Sequence, residues 1–416
     1  MSNLKVKAIE TNAVDRLYEI SKILEQGDIL LVSSLDKYSS RHKTARALFL
    51  SLYRKLASGE NYEEVWAEIR NRFDKTLKIA NVKYDLTPYY QEIENSFKNL
   101  DKNYLLSRAD FLTSLVISKI FSLKFVDAKE IIKYNCSKLN VNKSSSLIRK
   151  MLEAGSCVAS NYGADERNNI VLNANNLNSA LVSNSLKAQN LDIYTGHNAI
   201  RLSDRQSLRY TENMTYKSAK NYFNLGGQDF LSDESLKLLE KESIPVFVKN
   251  IYLPVNQTII SSRKNEKDIT CLAGNKNCLT ISFPDIIKID ERQQKLLLQF
   301  MKNHGFSLKY KFKPYTFLFV HKNLTSTKAE EIKNQLEKLF SNGFKFETTA
   351  LVHLISDRDL KTVKNNVSKI LTNENIDLLN IKILKNQIDI VVPKDQFDKL
   401  MNVLEVYAVT NSYHLS

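Results

Sequence analysis

The residues able to do chemistry lie thinly along this 416-residue chain. Taken singly, most of them have bland readings. Lys7 sits at the end of a short apolar run, where a solvated strand-end lysine is the default. Ser33 and Ser39 follow the run GDILLVSS, and hydroxyls after a strand are common turn chemistry. Asp110 lies in SRADFLTS, inside a helical pattern. The tract NLGGQ (224–228) has two glycines but no GxGxxG context, so it reads as a turn and not a dinucleotide fingerprint. His42, His197, His304, His321, His353 and His414 show no ligand spacing. Cys136, Cys157, Cys271 and Cys278 form no CxxC pair; they read as reduced cytoplasmic thiols, with no metal site expected. Trp66 stands at helical spacing with Tyr62, Ile69 and Phe73, as a core residue would.

The elements that must position these residues come in two rhythms. Short apolar strands at 4–8 and 28–34 flank a helix from about Ala13 to Leu24. Helical patterns follow over 40–56, 62–78, 89–98 and 104–121, each with apolar residues three and four apart. Strand-like segments at 124–127, 156–160, 169–172, 191–194 and 245–248 then alternate with helices at 179–189 and 232–242. Such alternation predicts a mainly parallel sheet covered on both faces. After SSRKNEKD (261–268) the order changes to strand, helix, two strands and helix, and then repeats: 279–283, 291–303, 306–312, 315–321 and 326–340, followed by 350–355, 360–374, 376–385, 387–393 and 394–404. This predicts two ferredoxin-like α+β modules, which rarely bury both sheet faces alone and so favour pairing. The fold class is α/β followed by two α+β modules, with domains over 1–260, 266–342 and 343–416.

Composition narrows the function classes. The N-terminus MSNLKVKAIE lacks the apolar core of a signal peptide, and no apolar run reaches membrane-spanning length. A cytoplasmic protein with no membrane partner is expected. The net charge is +14, but the lysines are interleaved with acids, as in EEIKNQLEKLF, and no nucleic-acid motif appears. The charge reads as a solvated basic surface, and nucleic acid is not an expected partner.

IPVFVKN (244–250), with LDIYT, LGG and SDES in order before it, resembles the end of the kinase domain of aspartokinases. A kinase-like α/β domain followed by two ferredoxin-like modules is similar to that family's layout, in which a pair of ACT regulatory domains forms the C-terminal half. The resemblance spans almost the whole chain. It implies an amino-acid-kinase fold and an ancestral ATP- and magnesium-dependent phosphorylation of the aspartate side chain, the first step toward lysine, threonine and methionine. It also implies a homodimer through the ACT modules, or association with an active aspartokinase.

The residue-by-residue carry-over departs from the family at most charged positions. The opening Lys-Phe-Gly-Gly-Thr-Ser is KAIETN here, keeping Lys7 and Thr11 but replacing both glycines, by Ile9 and Glu10. Phosphoryl transfer is mostly positioning and charge neutralisation, so a carboxylate and side chains in place of glycine amides oppose it. Ser33 and Ser39 retain hydroxyls at substrate-contacting positions. Asp110 stands for the glutamate that meets the substrate amine, and Phe111 for the arginine after it. The phosphate segment falls on Val171 to Asn176, with Leu172 for its arginine. Gly196 replaces an aspartate, Gln228 the nucleotide-side lysine, Leu231 a histidine and Ser232 a proline. In the first ACT module, Lys309 and Arg292 replace an acidic residue and a glycine of lysine-sensitive members, which opposes lysine feedback. The expectation is a catalytically degenerate aspartokinase-family protein that binds no cofactor. The alternative is a working aspartate kinase with an atypical site, using Lys7 as the catalytic residue, Ser33, Ser39 and Asp110 for the substrate, and ATP with magnesium.

Overall fold

The computed structural model describes the chain apart from residues 1–3, 36–42, 137, 153–155, 173–175, 198, 205–208, 227, 229, 285–288, 313–314, 341–342 and 411–416. It divides into two compact units. The first comprises residues 1–201, 210–223 and 228–263; the second comprises 202–209, 224–227 and 264–416.

The first unit is built on an eight-stranded sheet in the order Asn213–Thr215, Gln257–Ser261, Val246–Asn250, Asn190–Thr195, Lys5–Ile9, Ile29–Val32, Cys157–Ala159, Lys124–Val126. All neighbouring strands are parallel except Val246–Asn250 with Gln257–Ser261. Side chains alternate between the faces of a strand, and here both sets are buried. Ile9, Leu30 and Val32 join a core formed with the helices Ala45–Ser58, Glu63–Ile79 and Lys102–Ile120, while the alternate Val6, Ala8, Ile29 and Leu31 are buried as well. The expected doubly covered, mainly parallel sheet is present.

Trp66 belongs to this core, edge-on to Phe49, Tyr90 and Phe97, with its indole N–H on Glu94. The helix expected over 13–24 is two short ones, Thr11–Val14 and Leu17–Ile23, broken at Asp15 and Arg16. Among the described residues the helices Ala128–Ile131, Val141–Leu152 and Tyr216–Asn224 have no counterpart in the sequence reading.

The second unit carries a six-stranded antiparallel sheet in the order Ser307–Phe312, Thr316–Val320, Cys271–Ser282, Lys345–Ile355, Gln387–Pro393, Asn380–Ile383. Helices Glu291–Asn303 and Ser326–Leu339 pack on Leu279, Ile281, Phe317 and Phe319. Helices Leu360–Asn373 and Phe397–Thr410 pack on Leu272, Val352, Leu354 and Ile390. Side-chain caps set the starts of three of these helices: Asp290 in a reciprocal box with Gln293, Thr325, and Asp359.

The twofold order of elements is as the sequence indicates, but the two central strands are longer. Cys271–Ser282 and Lys345–Ile355 run through both halves, with a bulge between Asn275 and Cys278. The halves therefore share one sheet. On the face away from the helices, Cys278, Leu318, Leu351 and Val391 form a small core with Tyr310 and Phe312.

Candidate active site

In a parallel α/β sheet, ligands are met just beyond the carboxyl ends of the strands. In the first unit that edge carries Glu10, Ser33, Ser34 and Gly196, together with Asn176 before the helix Leu177–Leu186. The Glu10 N–H donates to the Tyr194 carbonyl at 2.9 Å and the Ser33 N–H to that of Ile9 at 3.0 Å, so the ladder hydrogen bonding reaches the edge.

Asp110 is the best-defined charged group here. It lies mid-helix in Lys102–Ile120 and is fully buried. Burial pushes its carboxyl up to about 6, partly offset by the Arg46 guanidinium, the Ser34 N–H and Arg108. Arg46 Nη2 donates to Asp110 Oδ2 at 3.1 Å. The next residue along the strand exit, Leu35, donates its N–H to Thr113 Oγ1, one helical turn beyond Asp110, at 3.1 Å. The segment 34–35 therefore lies against the helix turn that carries Asp110. Ser39 lies outside the described residues.

Lys7 does not stand at this edge as a solvated lysine. It is 1% exposed. Its ammonium donates to the Ile23 carbonyl and pairs with Asp28, and both belong to the segment leading into Ile29–Val32. That segment lies at the amino ends of the strands, so the charge of Lys7 is spent on the opposite side of the sheet. The bland reading is corrected too: the residue is internal because Asp28 follows it into the interior.

Of the segment 171–176, residues 173–175 lie outside the described residues; at Asn176, Glu10 and Gly196 the polar groups bond within the chain. Asn176 Nδ2 donates to Glu10 Oε1 at 2.6 Å and to the Phe230 carbonyl at 2.9 Å. Asn12 bonds the Thr195 hydroxyl, and its Oδ1 accepts the Gly196 N–H at 2.9 Å. A Cβ on Gly196 would sit 2.4 Å from the Asn12 carbonyl oxygen, so no aspartate fits there without displacing backbone. Gln228 Oε1 accepts the Arg201 N–H at 2.8 Å. Leu172 packs half-buried against the core, Leu231 is buried, and Ser232 caps the helix Asp233–Lys241. A magnesium nucleotide is the group this fold implies. Among the described residues, Glu10 presents a carboxylate, Lys7 is committed to Asp28, and Asn12 closes on Gly196, so this edge does not fit a triphosphate.

Two arginines escaped the sequence reading. Arg46 is separated from Asp110 by 64 residues, and nothing local marks the pair. Arg108 did carry a signal, its i, i+3 spacing to Phe111. Its buried guanidinium lies 4.5 Å from the centres of the Tyr104 and Phe111 rings and bonds the Tyr162 hydroxyl at 3.1 Å. Tyr162 in turn donates to Asp127 at 2.6 Å. The Arg108 cation thus stands one turn before Phe111 and is held in the core. Among the described residues no group of three or more His, Cys, Asp or Glu could hold a metal, and no helix is long and apolar enough to cross a membrane.

A mainly parallel sheet domain followed by a twofold antiparallel α+β unit, with its candidate site beyond the parallel strand ends, defines an amino-acid-kinase type of architecture joined to ACT-like modules. Comparison with solved structures makes it specific. Clostridium acetobutylicum aspartate kinase superposes with a TM-score of 0.83 at 16% identity, covering 97% of this chain and 100% of that one. E. coli aspartokinase III matches in its complex with lysine and aspartate (TM-score 0.71, 17% identity, 98% and 100% covered) and in its complex with aspartate and ADP (0.65, 16%, 97% and 99%). The chain has the aspartokinase fold over nearly its whole length. No family model matches the sequence, and no curated protein does.

Proposed function

We propose that this aspartokinase-fold chain no longer phosphorylates aspartate and serves as a binding or regulatory protein, alone or beside an active aspartokinase. The observation that carries the reading is the Arg46–Asp110 ion pair at 3.1 Å. The aspartokinase resemblance puts a substrate-amine contact at Asp110, and here the partly exposed Arg46 guanidinium of the same chain occupies that carboxylate. A bound aspartate amine would have to displace Arg46 from Asp110, at a cost moderated by solvent around the guanidinium. Glu10, the Asn12–Gly196 contact and the burial of Lys7 support the same reading on the nucleotide side. Calorimetric titration of magnesium-ATP into the protein, with and without aspartate, tests it. No heat in either titration is expected. Micromolar binding followed by turnover on aspartate would make the chain a working kinase that uses Lys7, Ser33, Ser39 and Asp110 in an atypical site.

The second unit supports assembly as a homodimer. Its outer strand Ser307–Phe312 is a sheet edge with Ser307, Leu308, Lys309 and Lys311 exposed, open to pairing with a second copy. Light scattering of the full chain should give a dimer mass at micromolar concentration; a monomer there would defeat the assembly reading.

A further inference from the structure

Half of the chain's net charge lies in one short stretch of the second unit. Residues 291–328 hold eight lysines and arginines against one acid, Glu291, a net +7 of the total +14. The alternation of lysines with acids seen in EEIKNQLEKLF begins at Glu330, beyond this stretch. There Lys333 pairs with Glu330. The whole-chain pattern that argued against a nucleic-acid partner therefore does not hold for residues 291–328.

The fold gathers these charges. Arg292, Lys295 and Lys302 are exposed on the helix Glu291–Asn303, with Gln299 between them, at the three- and four-residue spacings of one helical face. From Arg292 to Lys302 they cover about 15 Å of helix. Lys311, exposed on the strand Ser307–Phe312, reaches back to that helix, its ammonium donating to Gln294 Oε1 at 2.7 Å. At the far end of the helix the following turn lies against His321, whose ring is 4.7 Å from that of Phe306. Lys328 Nζ stands 2.9 Å from His321 Nε2, and Lys322 is exposed next in the chain. Burial and then the Lys328 ammonium hold the His321 imidazole below its ordinary range, so it adds little charge at neutral pH. Among the described residues no carboxylate pairs with any of these six cations.

Like charges gathered without partners repel one another, and an anionic partner relieves that repulsion. Protein interfaces are poor in lysine and centre on apolar or aromatic anchors. This track is five lysines and one arginine, and Leu296 is the helix's one exposed large apolar side chain. Stable attachment to a bilayer takes an inserted apolar group besides the basic one. A phosphate backbone needs the cations alone. We propose that this face binds nucleic acid through its phosphates, without reading bases, with Arg292, Lys295, Lys302 and Lys311 as phosphate contacts and Lys322 and Lys328 extending the track. The proposal is independent of whether the kinase edge is active.

The test is fluorescence anisotropy of the full chain with a labelled single-stranded RNA and a labelled DNA duplex, each of about 20 residues per strand, at roughly 50–200 mM KCl. Saturable binding of at least one is expected, with log affinity falling against log salt at a slope of about −3 or steeper, the value for four phosphate contacts. The triple variant Arg292→Gln, Lys295→Gln, Lys302→Gln should weaken binding about tenfold or more and flatten the slope by about 2. A control triple, Lys98→Gln, Lys361→Gln, Lys369→Gln, removes the same charge from other elements and should change affinity less than about threefold. All six side chains are exposed, so neither triple threatens folding. Absence of binding to both nucleic acids overturns the proposal, as does a slope near zero. An equal loss in the two triples would make the effect one of net charge and overturn the assignment to this face. Binding to phosphatidylserine vesicles with none to either nucleic acid would overturn the choice of partner.

Discussion

Replacing Arg46 by methionine should destabilise the protein at neutral pH and much less in mild acid. An ordinary aspartate carboxyl titrates near 3.8, and in the folded chain burial moves that of Asp110 up to about 6. Between those values the folded state binds the extra proton, so stability falls as pH rises from about 4 to about 6. The full penalty, about 3 kcal/mol from the difference between 3.8 and about 6, is present above pH 6 and absent below about 4. Arg46 already reduces that penalty, and removing it pushes the Asp110 carboxyl higher still.

Breaking a fully buried pair costs about 3–5 kcal/mol. The Arg46 side chain, however, is 42% exposed, and solvent screens its charge. About 1–2 kcal/mol at pH 7.5 is therefore expected, a fall in Tm of roughly 2–8 °C for a unit of this size. At pH 5 most of the Asp110 carboxyl is protonated in the variant, and the cost should shrink to a fraction of that value. Thermal melts of Arg46→Met and the parent at both pH values measure it, since groups common to both cancel in the difference. Asp110→Asn supplies the cycle: on that background Arg46→Met should cost close to nothing at either pH. An equal cost at pH 5 and pH 7.5, or an undiminished cost on the Asp110→Asn background, would refute the pairing as the source of the effect.

Three other outcomes follow from the same geometry. Lys7→Met strands Asp28 in the interior and should cost about 3–5 kcal/mol in chemical denaturation; a neutral result would mean that Lys7 is held by something other than Asp28. Gly196→Ala places a Cβ 2.4 Å from the Asn12 carbonyl oxygen and should cost about 1–3 kcal/mol, read from the urea midpoint, whereas wild-type stability would show that the Asn12 loop yields freely. Trp66→Ala empties the centre of the Phe49, Tyr90 and Phe97 cluster and should cost about 3–5 kcal/mol by the same measurement; a loss under about 1 kcal/mol would place the indole outside the core.

The order of elements was legible because each carries its own period. Helix Glu63–Ile79 and strand Asn190–Thr195 announce themselves, one by apolar residues three and four apart, the other by a short apolar run. The helix Val141–Leu152 did not, because its buried face is Ser144, Ser145, Ile148 and Leu152. Serine neither favours a helix nor marks an apolar stripe. The extended central strands of the second unit escaped for a similar reason: CLAGNKN and KFETT are broken by glycine and polar residues, and only pairing across the sheet keeps them extended. At the site, the positions of Asp110 and Ser33 could be placed by resemblance to a known pattern. What the sequence could not show was the partner of each: Arg46 for Asp110, Asp28 for Lys7, Asn12 for Gly196. Those pairings span 64, 21 and 184 residues, beyond the reach of any local rule.

These pairings share a physical logic. A kinase edge is kept open by groups whose hydrogen bonds await a ligand, and such groups cost stability while they wait. Along this edge three such groups bond inside the chain: the Arg46 guanidinium to the Asp110 carboxylate, Asn176 to Glu10, and Asn12 to the Gly196 amide. On the proposed reading these bonds belong to the internal structure of the edge, and changing one residue alone gains little. Gly196→Asp would meet the Asn12 backbone, and Glu10→Gly would strip the Asn176 amide of one acceptor without restoring a cation. On the proposed reading, phosphoryl transfer would return only with several coordinated changes, because these three contacts are hydrogen-bond requirements of the fold.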